Sequence, residues 1–106
     1  MTWKVTFFSP RIKAETLDFP EGILANMLHI LEMIEAFGPA IGKPYTAPMG
    51  DGLFEIRAKG KEGIGRSLFC TVKGNEVVIL SSFIKKTNKT PKAELDKARK
   101  RMKAIK

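Results

Sequence analysis

Four apolar side chains stand in a row at Val77, Val78, Ile79 and Leu80, and Phe83 and Ile84 follow before the chain turns basic at Lys85 and Lys86. A run apolar on both alternating faces predicts a strand covered on both sides, inside a sheet. Lys85 and Lys86 then fall where a rigid strand gives way to a loop, a common place for a site because the scaffold holds what the loop leaves open. Upstream, Trp3, Val5 and Phe7 alternate with polar neighbours and stop at Ser9-Pro10, which predicts a short strand over residues 3–8. Residues 11–17 suit a short helix. Asp18-Phe19-Pro20-Glu21 reads as the start of a longer one, with Asp18 or a neighbour as cap and Pro20 in the first turn.

Ile23, Leu24, Met27, Leu28, Leu31, Ile34 and Phe37 recur at three- and four-residue steps, the stripe of an amphipathic helix that must lie on the sheet. Gly38-Pro39 ends it. Residues 40–52, with three Gly and two Pro, read as a loop. Leu53 to Arg57 alternate again, with Phe54, Ile56 and Ala58 on one face and Leu53, Glu55 and Arg57 on the other. A Gly-rich turn over 59–65 leads to a return strand over 66–73, and Gly74-Asn75 makes the next hairpin into the apolar run. Thr90-Pro91 has the form of a hydroxyl cap with proline at the first helical position. Leu95, Ala98, Met102 and Ile105 give the last helix a narrow apolar stripe, with Lys92, Lys97, Arg99, Lys100, Lys103 and Lys106 left on its outer face and flanks. The order predicts an α+β fold: an N-terminal strand, one helix or a helical pair, a three-strand antiparallel meander and a basic C-terminal helix.

Composition sharpens this picture at one point. Residues 1–84 carry nine Lys/Arg and nine Asp/Glu, whereas residues 85–106 carry ten Lys/Arg against Glu94 and Asp96, so the whole net charge of +8 sits in the last fifth of the chain. A field segregated in this way suits an extended polyanion, most often nucleic acid, although a lysine-rich terminus also serves solubility alone. The 106 residues allow one domain, 1–106, with one modest core. No signal peptide or membrane-length apolar run is read, and a lone Cys70 fits a small buried side chain in a reducing, cytoplasmic setting. One His, one Cys and no carboxylates at ligand spacing call for no metal or other cofactor, and no phosphate-cradling glycine loop is followed by a helix. His29 falls on the outer face of its helix and receives no role.

Gly52-Leu53-Phe54-Glu55-Ile56-Arg57, then Arg66, then Phe83-Ile84-Lys85-Lys86-Thr87, then Thr90-Pro91 with Glu94 and Ala98, resembles the RelE/HigB superfamily, in particular its phage-derived, HigB-like branch. The resemblance spans residues 52–98 and implies the toxin of a type II toxin–antitoxin pair. Such a toxin cleaves translated mRNA on the ribosome and is held by a cognate antitoxin, usually a helix-turn-helix protein, through which it meets operator DNA. RNA is cut without a metal when its 2′-hydroxyl loses a proton, the phosphorane charge is stabilised and the 5′-oxygen gains a proton. Carried over, Arg57 and Arg66 would grip phosphate from adjacent strands, and Lys85 or Lys86 would act as base or acid. Lys59, Lys61, Lys89, Lys92, Arg99, Lys100 and Lys103 would hold the RNA backbone. The same residues admit structural roles: Arg57 stands two residues from Glu55 on one strand face, and Lys85-Lys86 suits a blunted strand end. Some members of the superfamily add a C-terminal Tyr or His, which this tail lacks, leaving Lys and Arg alone or Tyr45 folded over from its loop. A ParE-like gyrase inhibitor and a non-catalytic nucleic-acid-binding module remain alternatives on the same scaffold.

Overall fold

The computed structural model describes residues 2–86 and 89–105, and Thr87 of the 52–98 motif and Lys106 of the helix flank lie outside them. Strand β1 (Lys4–Phe7) leads into α1 (Pro10–Leu17) and α2 (Glu21–Phe37). A short 3₁₀ turn (Pro39–Ile41) precedes β2 (Thr46–Gly50), β3 (Leu53–Gly60), β4 (Gly63–Val72), β5 (Glu76–Ile84) and α3 (Lys92–Ile105). The strands form one mixed sheet in the order β1-β5-β4-β3-β2, in which β1 runs parallel to β5 and the other pairs are antiparallel. The expected α+β order is present, including the helical pair.

The sheet has a core on each face. Ile23, Met27, Ile30 and Ile34 of α2 pack with Ile56, Phe69, Val77 and Ile79 on one side, and Ala98 and Met102 of α3 pack with Leu53, Leu68, Val78 and Leu80 on the other. The apolar run in β5 is therefore split between two cores, as a strand covered on both faces requires. Each fully buried aliphatic side chain in these layers contributes roughly 1.5–3 kcal/mol of transfer free energy.

Four local expectations are corrected. Residues 46–50 form an edge strand, because β3 supplies the ladder partner that Pro48 and the neighbouring glycines do not advertise. In α2 the buried stripe is rotated toward Ile30, leaving Leu28 at 40% and Phe37 at 79% exposure. At the other end of the chain Ile105 is 39% exposed, so the stripe of α3 docks through Ala98 and Met102. The helix starts differ as well. Pro20 precedes α2 without a side-chain cap, and its first amides are met from the β3–β4 turn: Gly22 N–H and Ile23 N–H donate to Glu62 carboxylate oxygens at 2.9 and 3.2 Å.

That contact draws α2 tightly onto the sheet. A Cβ added at Gly60 would lie 2.4 Å from the Ile23 backbone nitrogen and 2.6 Å from the Gly22 carbonyl carbon, so the helix can approach only because residue 60 has no side chain. Gly60→Ala is expected to destabilise the chain by about 1–3 kcal/mol in chemical denaturation, since backbone must shift to admit the methyl group.

The Gly22 amide above all, then Glu62's own amide and that of Ile23, hold the Glu62 carboxyl below its ordinary 4.5 against the opposing cost of burial. A lowered folded-state value means that the contact stabilises the fold above the ordinary carboxylate range and is lost as pH falls through the folded pKa. Glu62→Gln should accordingly lower Tm at pH 7, with the gap to the parent closing on acidification below about 4.5.

Candidate functional site

Strands β3 and β4 bring Arg57 and Arg66 directly opposite one another. Both lie on the α3 side of the sheet, with Glu55 two residues before Arg57 on the same face. Glu55 is fully buried. Its Oε1 accepts from Arg57 Nε at 3.2 Å and from Arg66 Nη1, and its Oε2 accepts from Thr90 Oγ1 at 2.5 Å. The Arg66 side chain is only 7% exposed, against 35% for Arg57. Arg66 is thus held from below by the carboxylate, while part of the Arg57 side chain reaches solvent.

Lys85 joins this pair through an irregularity in β5. Leu68 faces Ser81 and Phe69 faces Ile79, which leaves Leu80 as an extra residue in the ladder. A bulge of this kind reverses the alternation beyond it. Before the bulge, Val77 and Ile79 belong to the α2 side. After it, Ser82 meets Thr16 of α1 while Ser81 meets Glu94 of α3, and Phe83 joins the α3-side core. Lys85 N–H donates to Ile64 carbonyl oxygen at 2.8 Å, prolonging the ladder by one residue and carrying Lys85 to the face of Arg57 and Arg66.

Lys43, Pro44, Arg57, Lys59, Ile64, Arg66 and Lys85 line one open cleft of about 310 Å³. Five cations there face a single buried carboxylate, an arrangement that concentrates positive potential where a phosphate could enter. Lys43 was not singled out by sequence. It arrives from the segment before β2, which is fastened by Tyr45 and Thr46 N–H donating to Gly42 carbonyl oxygen and by Arg57 N–H donating to Tyr45 carbonyl oxygen. The only available signal was its charge within a Gly- and Pro-rich stretch.

The other sequence candidates lie elsewhere. Lys86 is exposed beyond the strand end and Lys61 is exposed in the β3–β4 turn, and neither lines the cleft. Lys89 is exposed. On α3, Lys92 pairs with Asp96 at 2.9 Å, a solvent-facing contact worth at most a few tenths of a kcal/mol. Arg99 donates to the Met49 and Gly50 carbonyl oxygens at 2.9 and 3.3 Å and so ties α3 to the β2–β3 turn. Lys100 and Lys103 are exposed. Tyr45 packs with the α2-side core, Thr90 donates to Glu55, and the Pro91 carbonyl oxygen accepts from the Glu94 and Leu95 amides of α3. The charge-based expectation thus shifts: four of the five cleft cations come from the electrically balanced first 84 residues.

A larger depression of about 690 Å³ lies near the end of α3, but of Thr71, Val72, Lys73 and Ile105 around it only Lys73 is charged. Among the described residues no group of three or more His, Cys, Asp or Glu is placed to hold a metal, and no helix is long and apolar enough to cross a membrane.

The sequence profile described as Phage derived protein Gp49-like (DUF891) matches residues 14–103. The chain belongs to the Gp49-like family. This family match and the fold bear out the resemblance read from residues 52–98. The Gp49-like chain superposes on E. coli toxin RelE, solved as a double arginine-to-alanine mutant in the free state, with a TM-score of 0.69 at 14% identity, covering 96% of this chain and 99% of that one. It also superposes on a chain of the archaeal RelE–RelB complex from Pyrococcus horikoshii OT3, with a TM-score of 0.57 at 17% identity, covering 79% of this chain and 96% of that one. At these identities the fold is what is shared. No curated protein matches the chain significantly in sequence.

The carboxylate beneath the cleft is a stringent test of this geometry. Removing one partner of a buried ion pair leaves the other uncompensated, so Glu55→Ala should cost about 3–5 kcal/mol in denaturant titration. Lys85→Ala, at a half-buried position with no ion pair among the described residues, should stay within about 0.5 kcal/mol of the parent.

Proposed function

We propose that the Gp49-like chain is the toxin of a type II toxin–antitoxin pair and cleaves translated mRNA on the ribosome. The observation that carries this reading is the convergence of Arg57, Arg66 and Lys85, with Lys43 and Lys59, on one cleft of a RelE fold. The scissile phosphate would lie over Arg57 and Lys85. Its in-line displacement by the 2′-hydroxyl places extra negative charge on the phosphorane oxygens, which guanidinium and ammonium groups stabilise directly. The 2′-hydroxyl would give up its proton to water as its oxygen bonds to phosphorus, and the Lys85 ammonium would pass a proton to the departing 5′-oxygen as the bond from phosphorus to that oxygen breaks, leaving a 2′,3′-cyclic phosphate. Lys43 and Lys59 would hold flanking phosphates, and the exposed Lys86, Lys61 and α3 lysines would contact ribosomal RNA by counterion release. The ribosome's part is to present the message in this cleft, and the setting is the cytoplasm.

The archaeal relative was solved as a RelE–RelB complex. By the same reading the Gp49-like chain is silenced by a cognate antitoxin of helix-turn-helix type, encoded beside it, through which the pair meets operator DNA.

Induction from a tightly repressed promoter should arrest growth, and primer extension should show breaks inside translated codons. Lys85→Ala should reduce breaks on programmed ribosomes by about 100-fold or more, the scale of a lost proton donor. Growth arrest with intact message would remove the nuclease and leave an inhibitor of another target, such as gyrase.

A further inference from the structure

Glu55 is fully buried beneath the basic cleft, and both of its carboxylate oxygens are held by directed hydrogen bonds. Oε1 serves both arginines and Oε2 is held by Thr90, from the segment that enters α3. A carboxylate fixed at both oxygens has one orientation, and two guanidinium groups sharing Oε1 inherit it. Among the described residues the buried Arg66 Nε finds no hydrogen-bond partner, so the bond from Arg66 Nη1 to Glu55 is what directs this guanidinium.

We infer that Glu55 is a positioning residue for Arg57 and Arg66, and that the Thr90 hydroxyl, from outside the cleft, sets its orientation. This rests on the reading that the cleft receives an RNA phosphate. Lys43, Lys59 and Lys85 keep their charge whatever Glu55 does, so binding of RNA persists when the orientation is lost. Stabilisation of the phosphorane depends on where the guanidinium N–H groups point, so the rate suffers more than the affinity. Thr90 therefore acts through Glu55 and the arginines, without touching RNA.

Thr90→Val preserves shape and removes the donor; Thr90→Ser restores it. On programmed ribosomes Thr90→Val should lower the rate constant at saturating ribosome by roughly 10- to 100-fold, with affinity for a 2′-O-methyl RNA changed less than about twofold, and Thr90→Ser should recover most of the rate. A fall in Tm with an unchanged rate at temperatures well below unfolding would show that Thr90 only steadies α3, and would overturn the inference. Arginine Nε–Hε resonances test the same point independently of cleavage. In Thr90→Val the Arg57 and Arg66 signals should shift or broaden, with Thr90→Ser returning them. Unchanged signals overturn the inference even if the parent cleaves RNA. Altered signals in a parent that does not cut message overturn only the nuclease.

Discussion

A carboxylate taken fully out of water must be met by donors, or it costs the fold several kcal/mol. Glu55 is met by Arg57, Arg66 and Thr90, which belong to two strands and to the entry of α3. The rest of the α3 face is arranged around that requirement. The two arginines need it to come together at all, since paired guanidinium groups on facing strand positions repel without an anion between them. With the carboxylate in place, one of the two guanidinium charges is balanced, and the other adds to the positive field of the rim lysines.

The sheet performs the orientation. Because side chains alternate strictly along a strand, one extra residue in β5 decides which face every later side chain takes. Leu80 is that residue, and its bulge sends Lys85 toward Arg57 and Arg66. Opening the ladder leaves the Leu80 carbonyl to be satisfied from elsewhere, and Arg101 of α3 donates to it at 2.6 Å while stacking over Phe8. The distortion that aims the site is thus also a point where the last helix is fastened.

Much of this was legible from residue order. Alternation in β3, the hairpin turn at 74–75, the apolar run of β5 and the periodicity of α2 are local properties, and each element formed where its pattern lies. The turn expected over 59–65 shrinks to residues 61–62, because β3 and β4 stay paired out to Gly60 and Gly63. What escaped depends on long-range partners. β2 is a strand because β3 lies beside it, and Lys43 reaches the cleft because the backbone around Gly42 and Tyr45 is tied down. An arginine two residues from Glu55 could be read as its partner; that Arg66 shares the same oxygen depends on the β3–β4 register. Thr90-Pro91 has the sequence form of a cap, yet α3 begins only at Lys92, with the Pro91 carbonyl oxygen accepting from Glu94 and Leu95, and the Thr90 hydroxyl donates to the buried carboxylate. The uneven charge along the chain was real but pointed at α3, whose Arg99 and Arg101 are spent on holding the fold.

The edge strand β2 has a consequence for a five-stranded sheet left open on that side. Pro48 offers no amide hydrogen, the register breaks between Pro48 and Gly50, and Arg99 occupies the Met49 and Gly50 carbonyls. An incoming strand from another molecule would find an interrupted row of donors and acceptors in place of a template. The contact that anchors the last helix thereby guards the sheet against edge-to-edge aggregation.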